Sequence, residues 1–105
     1  MQLKRALLST GIVVLLGIAG TAWADGNVQA GKAKAGSCAG CHGANGEGVA
    51  SNPALAAMKK DRFVQAMKGY KSGKRDSAVM KPIASGLSDK EMEDLAAYYA
   101  SLKGK

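Results

Sequence analysis

The chain has 105 residues with 15 Lys and Arg against 8 Asp and Glu, a formal charge of +7. That length argues for one domain and against a large multidomain enzyme. The basic balance suits an acidic protein partner or an anionic surface, and an export pattern at the N-terminus sets nucleic acid aside.

The N-terminus carries a leader pattern. Lys4 and Arg5 form a positive patch, Ala6 to Ala19 is an apolar run interrupted by Ser9, Thr10 and Gly11, and Ala22-Trp23-Ala24 is a small-x-small cleavage site. The run is shorter than the ~20 residues of a spanning helix, so residues 1–24 are expected to be a secretory signal peptide cleaved after Ala24. The domain is then 25–105, without a transmembrane anchor. Losing Lys4 and Arg5 leaves 13 bases against 8 acids, or +5. Its only aromatics are Phe63, Tyr70, Tyr98 and Tyr99, a thin core for so small a domain.

Asn27 to Ser37 is expected to form a short helix capped by Asp25 or Asn27. Ala30, Ala33, Lys34 and Ser37 fall on one face, with Gly31 beside it to let another helix approach. Directly after it stands Cys38-Ala39-Gly40-Cys41-His42, the C-x-x-C-H pattern of c-type haem attachment. Two thiols at this spacing can form thioethers to the two vinyl groups of a haem, and the next histidine lies under the ring to bind iron. Exported thiols would otherwise be expected to pair as a disulfide. A buried haem would also supply the core that the side chains lack.

Gly43 to Gly48 is a glycine-rich loop. No Lys-Ser/Thr pair follows, so it does not match a phosphate cradle. Pro53 comes next, and its carbonyl is a candidate acceptor for the second ring nitrogen of His42. A short helical piece is expected over Ala54 to Met58. A clear helix follows from Asp61 to Ser72, with Phe63, Ala66, Met67 and Tyr70 in one apolar stripe and Gly73 as its stop. Lys74 to Gly86 contains Pro82 and has neither period, so an irregular, largely extended segment is expected. Ser88-Asp89-Lys90-Glu91 is a capping box opening the last helix, whose stripe is Met92, Leu95, Ala96, Tyr99 and Leu102. Asp89, Glu91, Glu93 and Asp94 place negative charge in its first turns.

His42 is the chain's one histidine, so a second axial ligand is expected to be methionine, a soft neutral donor. Met67 and Met92 sit in helical stripes, where methionine is usually core. Met80, in the irregular segment and far enough downstream to reach the opposite face, is favoured over Met58. A structural zinc site wants four Cys/His ligands, and only Cys38, Cys41 and His42 are present. A thioredoxin-like pair wants a βαβ context that is missing.

These segments, in this order, resemble a small monohaem bacterial class I cytochrome c. The resemblance is carried by Cys38-Ala39-Gly40-Cys41-His42-Gly43, Asn52-Pro53-Ala54-Leu55-Ala56, Tyr70-Lys71-Ser72-Gly73-Lys74-Arg75, Met80-Lys81-Pro82-Ile83-Ala84 and Asp94-Leu95-Ala96-Ala97-Tyr98-Tyr99. Two departures stand out. Ala57-Met58 replaces a frequent Gly-Gln, and the first helix lacks the aromatic often found at the helix crossing. The resemblance implies an all-α fold of three to four short helices around one covalently attached haem, with crossing N- and C-terminal helices. It implies thioethers at Cys38 and Cys41, proximal iron ligation by His42 and distal ligation by Met80. The implied role is periplasmic one-electron transfer with redox protein partners bearing acidic docking surfaces. Lys32, Lys34, Lys59, Lys60 and Lys81 are candidates to steer them. The alternative role is the haem c subunit of a larger oxidoreductase, such as a flavocytochrome c sulfide dehydrogenase with a flavoprotein partner. An open haem site of the peroxidase kind would need Met80 to be off the iron.

Overall fold

The computed structural model describes residues 26–104. The expected leader and its cleavage site lie outside the described residues. Five helices follow one another: α1 Val28–Lys34, α2 Gly36–His42, α3 Lys60–Ser72, α4 Met80–Ser85 and α5 Asp89–Ser101. The described residues contain no strand, only an isolated bridge between Val49 and Asn52. The fold is all-α, as expected.

Asn27 caps α1, its side-chain oxygen accepting from the Ala30 N–H at 2.8 Å. Seven residues with a glycine among them make a weak helix in isolation, so its stability comes from α5. Gly31 is buried against that helix, and a Cβ there would collide with the Asp94 carbonyl and lie 2.8 Å from the Tyr98 Cβ. Gly26, at φ +73, meets the Glu93 carbonyl in the same way. Glycine thus brings two helix backbones into contact where an aromatic residue would have held them apart.

The buried face of α1 differs from the expected one. Ala30, Ala33 and Ser37 are exposed, while Gly31, Ala35, Cys38 and His42 are buried. Those four are spaced i, i+4, i+7 and i+11, a single helical stripe. Only Ala35 interrupts the run: its N–H donates to the Gly31 carbonyl at 2.9 Å, and its carbonyl accepts from Cys38 and Ala39. The helix that the sequence ends at Ser37 therefore continues, through one irregular residue, to His42.

α3 buries Phe63, Val64 and Met67. It packs on both α4 and α5, which widens its apolar face beyond the expected stripe. Gly73, at φ +87, closes it in the left-handed conformation. The Phe63 ring stacks on Tyr99 with centroids 5.8 Å apart.

Two expectations between the long helices are corrected. Residues 54–58 form a turn instead of a helical piece, with Ala57 at φ +66 and its N–H given to the Tyr99 carbonyl at 2.9 Å. Residues 74–86 are not extended throughout, because α4 occupies Met80–Ser85. Ser77 starts that helix, its hydroxyl accepting from the Met80 N–H at 3.0 Å and its carbonyl from Lys81 at 3.0 Å. Pro82 falls in the first turn, where an N–H has no partner within the helix, so it does not break it.

The capping box of α5 is formed, with the Ser88 hydroxyl accepting from Glu91 N–H at 3.1 Å and Glu91 accepting from Ser88 N–H at 2.9 Å. Met92, Leu95, Ala96 and Tyr99 are buried as expected. Asp94, expected only to complement the helix dipole, is buried as well. It accepts from the Asn27 N–H at 2.7 Å and from the Lys90 ammonium at 3.0 Å, fastening the start of α1 to α5.

Candidate haem-binding site

The site starts from the end of α2. Three of its last carbonyls, which a helix leaves without internal partners, are taken up by the chain that follows. Ala39 receives the Gly43 N–H at 2.9 Å, Cys41 the Asn52 side-chain amide at 2.9 Å, and His42 the Gly48 N–H at 2.7 Å. The glycine-rich loop spends its own N–H groups on these bonds and on Gly46 to Gly43, so it is a cap and not an anion cradle. Gly46, at φ +67, presses on the Tyr99 ring, leaving no room for a Cβ, and its carbonyl accepts from Leu55 and Ala56. These contacts bring the Asn52-Pro53 segment back under α2.

There the His42 Nδ1 lies 2.7 Å from the Pro53 carbonyl oxygen. A carbonyl only accepts, so Nδ1 carries a proton, and in the neutral ring Nε2 keeps its lone pair. That is the tautomer a metal-ligating histidine requires, held by the acceptor such ligands generally have. His42 is buried at 8% exposure, Cys38 is buried and Cys41 is exposed, and both thiols are free. Burial pushes the Tyr99 hydroxyl above its usual range, with the Cys38 sulfur adding to the effect.

Cys38, Cys41 and His42 line a cavity of ≈ 310 Å³, within the ~300–1,000 Å³ of small-molecule sites. Most of its remaining wall is apolar, with Leu55, Phe63, Val79 and Ile83 among the lining residues. Met58, Met67 and Met80 all contribute to it. Met92 is fully buried elsewhere in the core. Met80, half-buried, is the first residue of α4 and is held by its backbone bond to Ser77. A large flat apolar group with two thiol attachment points, a histidine with a free lone pair and thioether sulfurs in the same cavity fits this donor set. Among the described residues, no group of three or more His, Cys, Asp or Glu is arranged to hold a metal ion directly.

The sequence assigned no role of their own to Asn52, Ser77 or Arg75. Asn52 has a faint signal in its place before Pro53, but its bond to Cys41 is a tertiary matter. Of the candidate docking lysines, Lys34 is engaged with Glu91 at 2.9 Å. Lys32, Lys59, Lys60 and Lys81 are exposed. None of the described helices is long and apolar enough to cross a membrane.

Comparison with known proteins shows the family. A family model described as cytochrome c matches residues 28–103. Cytochrome c4 of Pseudomonas aeruginosa is 40% identical over 97 residues, which cover 91% of this chain and 48% of the relative. Cytochrome c-554(548) of Halomonas halodenitrificans is 40% identical over 80 residues, covering 72% of this chain and 96% of the relative. The crystal structure of reduced recombinant cytochrome c4 from Pseudomonas stutzeri superposes with a TM-score of 0.72 at 31% identity, over 76% of this chain and 47% of that one. The chain spans about half the length of the cytochromes c4 that it matches and nearly all of the Halomonas protein. It belongs to the cytochrome c family and has the class I fold.

Proposed function

We propose that this chain is an electron carrier, not an enzyme, with one haem c bound through thioethers at Cys38 and Cys41 and iron ligands at His42 and Met80. The observation that carries this reading is the His42–Pro53 bond of 2.7 Å, which prepares a neutral imidazole beside two cysteines in an apolar cavity. Haem c supplies a one-electron iron couple at such a site. His42 gives a fixed nitrogen donor, and Met80 gives a thioether that favours the reduced state. With His42 and Met80 both holding the iron, the chain would leave no coordination site for a substrate. The apolar wall keeps water from most of the cavity, while exposed Cys41 marks the edge open to a partner. One C-x-x-C-H pattern in the chain corresponds to one haem. The leader pattern at 1–24 supports export to the periplasm, and the basic charge supports redox partners with acidic docking surfaces.

The test is the absorption spectrum of the exported protein, wild type against Met80→Ala. Covalent haem is expected in both, with the ferric methionine-to-iron band lost in the variant. Absence of covalent haem would overturn the reading. An unchanged band in Met80→Ala would move the distal role to another cavity methionine, Met58 first. Stable co-purification with a flavoprotein would recast the carrier as the haem subunit of a larger oxidoreductase.

A further inference from the structure

Met80 is carried on a helix whose own side chains anchor it at one end only. Val79 is exposed, Met80 and Ile83 are half-buried, and Ala84 and Leu87 are in the core. At the near end the bonds are local, with Ser77 accepting from the N–H groups of Met80 and Lys81. At the far end α4 stops in two tight turns. The Gly86 N–H donates to the Ile83 carbonyl at 3.2 Å, and the Leu87 N–H to the Ala84 carbonyl at 3.1 Å. The capping box then opens α5 at Ser88. Gly86 and Leu87 are therefore the joint between the helix that carries Met80 and a helix fixed in the core.

One side chain crosses to that joint. The ammonium of Lys71, in the last turn of α3, donates to the Leu87 carbonyl at 2.6 Å. Lysine near a helix C-terminus ordinarily serves the free carbonyls of its own helix, but this one reaches 16 positions along the chain instead. The bond matters to its acceptor as well. Leu87 is buried, and among the described residues no backbone N–H is bonded to its carbonyl. Without Lys71 a partly buried oxygen would lose its partner, which a folded chain avoids.

We infer that Lys71 is a positioning residue for Met80: by fastening the Leu87 carbonyl it pins the joint between α4 and α5, and so sets how readily Met80 gives up its place on the iron. This rests on the haem reading proposed above. Lys71 does not line the cavity, so it acts through the segment that carries Met80. A charge-assisted bond of this kind is among the stronger ones a chain makes, and it forms only while that segment lies closed on α3. Losing it brings the open arrangement closer in free energy, and an outside ligand that competes with Met80 for iron gains by the same amount.

The test is a titration of the ferric holoprotein with imidazole, a neutral nitrogen ligand, followed through the haem absorption spectrum. Lys71→Met keeps the length of the stem and the helix propensity but has no donor. It is expected to bind imidazole about tenfold more tightly than wild type, the scale of one charge-assisted hydrogen bond. Lys71→Arg, which keeps a cationic donor, should stay near wild type. Lys68→Met removes an equal charge from an exposed position of α3 and should change nothing. The decisive comparison is made in Met80→Ala, where the iron is already open. There Lys71→Met should leave the imidazole affinity unchanged, because nothing remains for it to position. If Lys71→Met fails to mature, Lys71→Gln, which is shorter and uncharged, decides by the same titration. Wild-type affinity in the haem-loaded variant, an equal gain in Lys68→Met, or the same gain in the Met80→Ala background would each overturn the inference and leave the haem reading standing. Wild type without covalent haem, or Met80→Ala with its methionine-to-iron band intact, would instead overturn the reading on which it rests.

Discussion

At the crossing of α1 and α5 the chain packs on itself, whereas across the molecule the strap from Gly73 to Leu87 packs on a cavity. The crossing is closed by backbone approach at Gly26 and Gly31, by the Asp94 bond to Asn27, and by Leu95, Ala96 and Tyr99, each at most 1% exposed. On the strap, Val79 is 62% exposed, Met80 and Ile83 are half-buried, and only Ala84 and Leu87 reach the core. The contrast shows where a chain with few aromatics places its apolar material. One side is self-sufficient, and the other is completed by what the cavity holds.

The most severe break in this contrast is to remove both thiols. In Cys38→Ala/Cys41→Ala, covalent haem is expected to vanish from a denaturing gel, and residues 74–87 should lose hydrogen-exchange protection before α5 does. Equal loss along the whole chain would mean that the crossing depends on the haem as much as the strap does. Gly31→Val attacks the other side. It drives a side chain into the Asp94 carbonyl and should cost about 3 kcal/mol, the upper part of the overpacking range, by denaturant titration. The spectrum of the folded fraction should be unchanged.

Asp94→Asn is a milder probe of the crossing. It removes the charge that Lys90 and the Asn27 N–H share, and a loss of about 1–2 kcal/mol is expected. The smallest effect is at Glu91, whose carboxyl is held below its usual 4.5 first by the Ser88 N–H and then by the Lys34 side chain. A lowered folded-state value means that its stabilising contribution is complete above that ordinary value. The contribution fades as pH falls through the lower folded one. Stability measured against pH in wild type and Glu91→Gln should therefore differ at neutral pH and converge in acid.

Much was legible in the sequence because it is written in short patterns with local causes. Cys38, Cys41 and His42 stand within five residues, Gly73 ends α3 because only a left-handed residue fits there, and Ser88 with Glu91 opens α5 by a bond between near neighbours. Pro53 was a candidate acceptor because its segment follows His42 closely, and its carbonyl lies 2.7 Å from His42 Nδ1. Where distant parts of the chain meet, the same reasoning failed. The buried face of α1 was misjudged because α5 admits the Gly31 backbone into direct contact, and nothing local announces that. Asp94 looked like a helix-dipole charge until the start of α1 was laid against it. Pro82 looked like a breaker because the turn begun at Ser77, which puts the proline at a tolerated position, was not visible in composition.

By itself, then, the sequence determined the all-helical class, the two longest helices and the attachment pattern, since each depends on residues a few positions apart. Only the tertiary structure decided which side chains share the cavity with His42, how closely α1 and α5 approach, and that Lys71 meets the Leu87 carbonyl. Those features are set by contacts between residues far apart in the chain, and such contacts exist only once the helices have packed.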